Sequence, residues 1–309
     1  MQQIAIPRTD LSVSSVILGL MRIGTMSDAE IRDLVGAALE AGVTMIDHAD
    51  IYGGTRHHCE ARFGEAMRLS QAERERIVIQ YKAGIREGFF DFSEEHLLRS
   101  VEGSLRALRT DYLDVFLLHR PDALVEPEEV ARAFDTLHAA GKVRHFGVSN
   151  HSPGQIELLK TAVTQPLVVN QVQLSITHAP LIAQGLALNM AGLEQSVERT
   201  GGLLDWSRRE GMTLQAWSPF QKGFFDGTFV GDRESHPELN DALDEIAAAH
   251  GVTPTGLAVA WITRHPARMQ VVLGTTKAER VRECVAGAGV ELSRPEWYRL
   301  LRAAGTILP

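Results

Sequence analysis

Residues 44–52 read TMIDHADIY: an apolar run that ends on an aspartate, then a second aspartate and a tyrosine, ahead of the glycine pair Gly53-Gly54. A carboxylate directly after Met45-Ile46 on a buried strand needs a partner or a proton, because an unpaired charge away from water is costly. The same construction recurs downstream. IVIQYKA at 77–83 delivers Lys82 at the end of its apolar run, and YLDVFLLH at 112–119 ends on His119. Working outward, further β-branched runs stand at VILGL (16–20), VRHFGVSN (143–150), LVVNQVQL (167–174), MTLQAWS (212–218) and MQVVLGT (269–275), which makes eight strands.

Amphipathic helices fill the intervals. The segment 27–42 is the clearest: Ser27 and Glu30 form a capping box, Ile31, Leu34, Val35, Ala38 and Leu39 make one face, and Gly42 ends it. Units of one strand and one helix repeat at about 30 residues, and eight in succession predict a (β/α)8 TIM barrel, with a doubly wound sheet as the alternative. Additions are an N-terminal hairpin at 3–15, long loops after strands 6 and 7, and a closing helix at 295–305. No Pro-rich or Gly/Ser linker interrupts the series, so 1–309 is read as a single domain.

Composition removes several function classes. The chain has 309 residues, 44% hydrophobic and 23% charged, which suits a large core. A formal charge of -8 argues against nucleic acid or an anionic membrane as partner. Only Cys59 and Cys284 are present, so a disulfide framework is not expected. The start MQQIAIPRTD lacks signal-peptide features, and no stretch approaches the roughly 18 to 20 apolar residues of a membrane span. A cytoplasmic protein is the expectation.

In such a barrel the active site lies at the C-terminal ends of the strands. Strands 2, 3 and 4 place Asp47, Lys82 and His119 there, with Tyr52 five residues beyond Asp47 in the loop above the same strand end. The bland reading is a structural Asp-Lys ion pair and a hydrogen-bonded histidine; convergence of all four on one point favours chemistry. At ~4 Å and an effective dielectric of ~20, a lysine attracts a phenolate by about 4 kcal/mol, enough to pull the tyrosine well below its ordinary pKa. A tyrosine so tuned is a general acid near neutral pH, Asp47 keeps Lys82 charged, and His119 donates a hydrogen bond to a substrate oxygen.

A phosphate site is sought next. The dinucleotide fingerprint GxGxxG after a strand is absent, and Gly287-Ala288-Gly289 reads as a helix terminus. The eighth strand instead delivers Gly274-Thr275-Thr276-Lys277 into a helix start with Arg280 and Arg282 in its first turns, a phosphate site by backbone amides and charge. Lys277 and Arg280, three residues apart, are expected on one helical face.

The strings IDHADIYG, VIQYKAG, YLDVFLLHRPD, KVRHFGVSN and VVNQV, in this order and spacing, resemble the motifs of the aldo-keto reductase superfamily, and DHADIYGG resembles a bacterial subgroup of it. The resemblance runs from about residue 16 to 285. It implies the tetrad Asp47, Tyr52, Lys82 and His119, with hydride transferred from NADPH to a small-molecule carbonyl while Tyr52 protonates the oxygen. It implies that Ser149, Asn150 and Gln171 hold the nicotinamide carboxamide and that Trp217, followed by Ser218, stacks on its ring. It adds cofactor contacts from Met21, Arg22, Gly274, Thr275, Thr276, Lys277, Arg280 and Glu283, with the lysine and arginine suited to the 2′-phosphate. Cys284 stands where many members carry asparagine, and substrate selection falls to Met21 and the loops 86–90 and 220–225.

Other groupings carry less. His57-His58-Cys59 with His48 lack metal-ligand spacing, so no metal is expected. The apolar stretch 179–193 reads as a long loop with a packed helix, and Glu73-Arg74-Glu75-Arg76 as a solvated turn. Two competing functions remain: a redox-sensing regulatory subunit that binds the cofactor with little turnover, and a barrel lyase or isomerase using Lys82 as a Schiff base.

Overall fold

The computed structural model describes residues 1–224 and 226–308. The chain opens with an antiparallel hairpin, β1 (Gln3–Ala5) and β2 (Ser12–Ser14), and then lays down β3 (Val16–Gly19), β4 (Met45–Asp47) and β5 (Val78–Ala83). A second small hairpin, β6 (Ile85–Arg86) and β7 (Phe89–Phe90), precedes β8 (Leu113–Leu118), β9 (Val143–Ser149), β10 (Leu167–Gln173), β11 (Thr213–Trp217) and β12 (Gln270–Leu273). The strands β3, β4, β5, β8, β9, β10, β11 and β12 pair in parallel and close into a barrel, with β12 beside β3. Every expected strand is present, shorter by a residue or two at its ends. The β6–β7 hairpin is an addition, formed where the loop 86–90 was expected.

The strands are buried on both faces, which is why they read as continuous apolar runs and not as alternating ones. Ile6 and Val13 of the first hairpin join the apolar cluster of Ile17, Met45, Val115, Leu117 and Val169, so the hairpin covers the end of the barrel where the strands begin. Toward the other end the interior turns polar. Gln80 donates to Asp47 Oδ1 at 2.6 Å and to Gln215 Oε1 at 2.8 Å, and Gln171 donates to the same two oxygens at 3.0 Å each. Gln215 in turn donates to Gln270 Oε1 at 3.0 Å, and Gln270 to the Ser14 carbonyl at 2.9 Å. These four buried amides form a ladder from the strand-end carboxylate to the hairpin.

The first helix, Asp28–Glu40, starts at Ser27 with the expected capping box and buries Ile31, Leu34, Val35, Ala37 and Ala38. The segment 73–76 departs from expectation. Arg74 closes a short helix and is buried, donating to Asp114 Oδ2 at 2.8 Å, to the Ile77 and Tyr112 carbonyls and to Thr110. Its partner carboxylate lies some forty residues onward on β8, so local polarity could not reveal the burial. The helix Pro180–Leu186 packs over the barrel within the loop after β10, as expected. The closing helix, Arg294–Ala303, docks through a stack of Trp261 and Trp297 with centroids 4.9 Å apart, each indole N–H donating to the other residue's carbonyl. Among the described residues no single helix is long and apolar enough to cross a membrane.

Gly287 ends the helix Ala278–Gly287, as its sequence context suggested, and has a second reason to lack a side chain. A Cβ there would lie 1.9 Å from the Gly256 carbonyl oxygen, and one on Gly256 would lie 2.7 Å from the Glu283 carbonyl, so two helices meet backbone to backbone. Gly287→Ala is expected to cost about 2 kcal/mol or more, the range for overpacking a rigid contact, measured by urea unfolding. A loss under ~0.5 kcal/mol would show that the helices can separate freely.

Candidate active site

Asp47 is the last residue of β4, Lys82 the penultimate residue of β5, and His119 follows β8 directly. The backbone ladder continues past the strands, with Lys82 N–H donating to the His48 carbonyl at 3.1 Å and His119 N–H to the Ala83 carbonyl at 2.9 Å. The side chains are thereby held on a rigid rim. Lys82 Nζ meets Asp47 Oδ2 at 2.5 Å, both side chains 1% exposed. Asp47 Oδ1 takes the two glutamine N–H groups described above, so both oxygens are occupied. The partner that a carboxylate in this position requires is therefore present three times over.

Tyr52 leans over the pair, its ring centroid 5.2 Å from Lys82 Nζ, and meets the His119 ring edge to face at 6.2 Å. Burial pulls on Lys82 to lose its proton, but the charge of Asp47 and the hydrogen bond to it hold the ammonium above the ordinary lysine value. For Tyr52 the outcome corrects the expectation from sequence. Burial, the largest influence, pushes the phenol above its ordinary value, although the Lys82 charge and hydrogen bond pull it down. Desolvation wins because the ring is enclosed by protein on all but its cleft side. His119 is driven well below the ordinary histidine value by burial and by the charges of Lys82 and Arg120, so its imidazole is neutral.

A cleft of about 520 Å³ opens above these groups, and its wall includes Met21, Arg22, Ser149, Asn150, Gln171, Trp217, Ser218, Gly274, Thr275 and Arg280. Thr276, Lys277 and Glu283 stand outside that wall. Lys277 is the N-cap of its helix, in extended conformation at φ -108°, with Arg280 three residues on in the first turn. The helix begins one residue later than the sequence spacing assumed. Cys284 is wholly buried, its thiol pushed up by burial to about 12, and it is not part of the cleft wall.

The polar residues after β9, β10 and β11 are already interlocked. Asn150 donates to Ser149 Oγ at 2.9 Å and to the His119 carbonyl at 3.2 Å, while its Oδ1 accepts from Trp217 Nε1 at 3.0 Å. Ser149 Oγ donates to the Gln171 carbonyl at 2.7 Å. Both amide hydrogens of Gln171 point inward to Asp47 and Gln215, which leaves its carbonyl oxygen as the atom able to receive a ligand's N–H. Asn150 and Ser218 hold left-handed backbone, φ 61° and 52°, where side-chain-bearing residues are uncommon and functional sites concentrate. A flat indole, a carbonyl acceptor and guanidinium groups at the rim fit a pyrophosphate-bearing nicotinamide dinucleotide.

Sequence reasoning left three residues of this region without a role. Arg120 lines the cleft, its guanidinium 6.0 Å from the Trp217 ring and 5.8 Å from that of Phe224. The only signal was its place in HRPD, directly after His119. Asp50, the second aspartate of the opening stretch, is fully buried; neither carboxyl oxygen accepts a hydrogen bond, and Arg56 approaches to 3.6 Å. Burial pushes Asp50 up to about 6, against the opposing charge of Arg56. His48 is buried edge-on to Phe63 with neither ring nitrogen bonded and is pushed down to about 4 by burial. Among the described residues no group of three or more His, Cys, Asp and Glu side chains is placed to hold a metal ion.

Asp50 gives a pH signature. Its folded pKa lies above the unfolded value of 3.8, so between about pH 4 and 6 the folded state holds the extra proton and this group's contribution to stability falls as pH rises. His48 and the other buried histidines slope the opposite way, but they cancel when a variant is compared with wild type. Asp50→Asn should gain up to about 3 kcal/mol relative to wild type between pH 4 and pH 7, at ~1.4 kcal/mol per unit. Denaturant unfolding at the two pH values measures it, and a pH-independent difference would contradict the shifted carboxyl.

With this geometry in hand the chain was compared with known proteins. The Aldo/keto reductase family model matches residues 15–303. "Oxidoreductase YdhF" of Escherichia coli (strain K12) is 36% identical, over 98% of this chain and 97% of its own. A "6-dehydroglucose reductase" of Agrobacterium fabrum is 34% identical, over 98% of each. Among solved structures, a thermostable aldo-keto reductase in complex with the inhibitor epalrestat superposes with a TM-score of 0.78 at 28% identity, over 99% of this chain and 100% of that one. An aldo-keto reductase from Klebsiella pneumoniae in complex with NADPH gives 0.73 at 25% identity, over 94% and 91%.

Proposed function

The chain belongs to the aldo-keto reductase family, a family of oxidoreductases acting on small carbonyl compounds, and from that premise we propose that it reduces an aldehyde or ketone with NADPH, Tyr52 supplying the proton. The observation that carries this reading is the Asp47–Lys82 pair at 2.5 Å beneath the Tyr52 ring, with neutral His119 beside it at the mouth of the barrel. The bound nucleotide would supply the hydride, and every other part of the reaction falls to the protein.

The raised phenol keeps its proton at neutral pH, so Tyr52 is an acid and not a phenolate when substrate arrives. As negative charge develops on the carbonyl oxygen, Tyr52 Oη passes its proton there, and the Lys82 ammonium stabilises the phenolate left behind. Asp47 prevents Lys82 from giving up its own proton in that dry setting. His119, being neutral and with no partner at Nδ1, offers its other nitrogen as a hydrogen-bond donor that fixes the carbonyl oxygen. Trp217 presents a face for the nicotinamide ring, and Gln171 a carbonyl oxygen for its carboxamide. Arg22 and Arg280, which line the cleft, would meet the phosphates, and Arg280 would favour NADPH over NADH.

Tyr52→Phe should bind NADPH within about two-fold of wild type yet lose 10²- to 10⁴-fold in kcat with a reactive aldehyde such as 4-nitrobenzaldehyde, a typical general-acid contribution. Retention of more than half the activity, with chemistry limiting, would remove Tyr52 as the acid. Steady NADPH consumption by the wild type also separates an enzyme from a binding-only regulatory subunit. For the nucleotide, Arg280→Ala is expected to weaken NADPH by roughly ten- to a hundredfold, the value of one charge-assisted contact of 1.5 to 3 kcal/mol, with little change for NADH. Equal losses for the two nucleotides in a binding titration would place Arg280 on the shared pyrophosphate.

A further inference from the structure

The wall of the cleft carries the ionic side chains Asp47, Arg22, Arg120 and Arg280. Asp47 is neutralised by Lys82, and the proposed function uses Arg22 and Arg280 at the phosphates. Arg120 is left over. It follows His119 at the strand rim, lines the cleft and is half-buried beside Trp217 and Phe224. No carboxylate among the described residues pairs with it, and burial pulls its pKa down with no charge or hydrogen bond acting in the other direction. An arginine removed from water without a counter-ion is an unbalanced arrangement, and the aromatic faces at about 6 Å compensate only weakly. Its neighbour His119 is neutral and adds no charge of its own beside it.

We propose that Arg120 is the specificity-determining residue of this site and that it receives the carboxylate of a carbonyl substrate, selecting aldehydes or ketones that carry an anionic group. The inference rests on the functional reading above and names the substrate class for it. The guanidinium fork matches a carboxylate with two parallel N–H···O bonds, and the rings of Trp217 and Phe224 limit the directions in which it can turn. Arg120 and His119 line the same cleft of about 520 Å³, so a substrate that spans the two is a small one. Ile51, Ile85 and Phe220 also line the wall and suit an apolar or aromatic spacer between its acid group and its carbonyl. The pairing also gives a use to the third arginine of the cleft in a chain whose net charge is -8.

The test uses a matched pair of substrates. 4-Carboxybenzaldehyde and 4-nitrobenzaldehyde are similar in shape, and only the first is anionic. For Arg120→Met, kcat/KM for the carboxylate divided by that for the nitro compound should fall at least about tenfold from the wild-type ratio, the value of one charge-assisted hydrogen bond. Arg120→Lys should recover part of the ratio, and 0.5 M NaCl should lower it in the wild type but not in Arg120→Met. The dissociation constant of NADPH should stay within about two-fold. An unchanged ratio, or an equal loss on both aldehydes, would overturn the inference and leave Arg120 as packing for Trp217 and Phe224. A marked loss of NADPH affinity would overturn it too, by assigning the charge to the cofactor. Wild-type reduction of 4-nitrobenzaldehyde with a ratio insensitive to Arg120 would leave the carbonyl reductase reading intact while this inference fails. Absence of NADPH-dependent turnover of either aldehyde by the wild type would remove both.

Discussion

The constraint on which the site depends is that Asp47 is a carboxylate inside a barrel. A buried ion pair is a weak source of stability, because desolvating two charges offsets most of their attraction. Here the pair is kept by an additional set of donors: Gln80 and Gln171 hold one oxygen while Lys82 holds the other. That arrangement fixes the lysine in position, and the lysine fixes the electrostatics at Tyr52. The polar layer above the apolar barrel floor is therefore a platform for one charged group, and its geometry is set by strands and not by loops.

Tyr52 shows two opposing effects of the same burial. Enclosure raises the phenol, which therefore keeps its proton at neutral pH, and the same enclosure would strengthen the attraction between Lys82 and a phenolate. An estimate from charge alone had the sign of the lysine effect right and the net outcome wrong. The neutral state of His119 follows from the same enclosure, together with two cations close by. In the proposed reaction such a group would orient a carbonyl by a hydrogen bond without carrying a charge.

The architecture was legible because parallel strands buried on both faces leave continuous apolar runs, and because the capping residues that start helices, Ser27 with Glu30 among them, are local signals. The tetrad was legible because a lone ionisable residue after an apolar run is conspicuous at a strand end. What escaped depended on distant partners. Arg74 looks solvated until Asp114 arrives from β8, and the β6–β7 hairpin is too short to show a period. Lys277 reads as the first residue of its helix and is the N-cap, a single-residue difference at the joint between strand and helix. Asp50 was invisible for another reason: its lack of hydrogen-bond partners is a property of the folded enclosure, which the string DHADIY does not show.

The glutamine ladder has a consequence that its individual distances conceal. Both of its ends accept hydrogen bonds, the Asp47 carboxylate at one and the Ser14 carbonyl at the other, so the direction of each amide between them is dictated from outside. In the vocabulary of hydrogen-bonded solids the barrel interior is proton-ordered, with a single allowed orientation for Gln80, Gln171, Gln215 and Gln270. A glutamate of the same shape at any of these positions would bring an acceptor to face another acceptor. The chemical end of the barrel and the hairpin that closes its far end are in this way parts of one oriented lattice, whose polarity is set by the charge of a single aspartate.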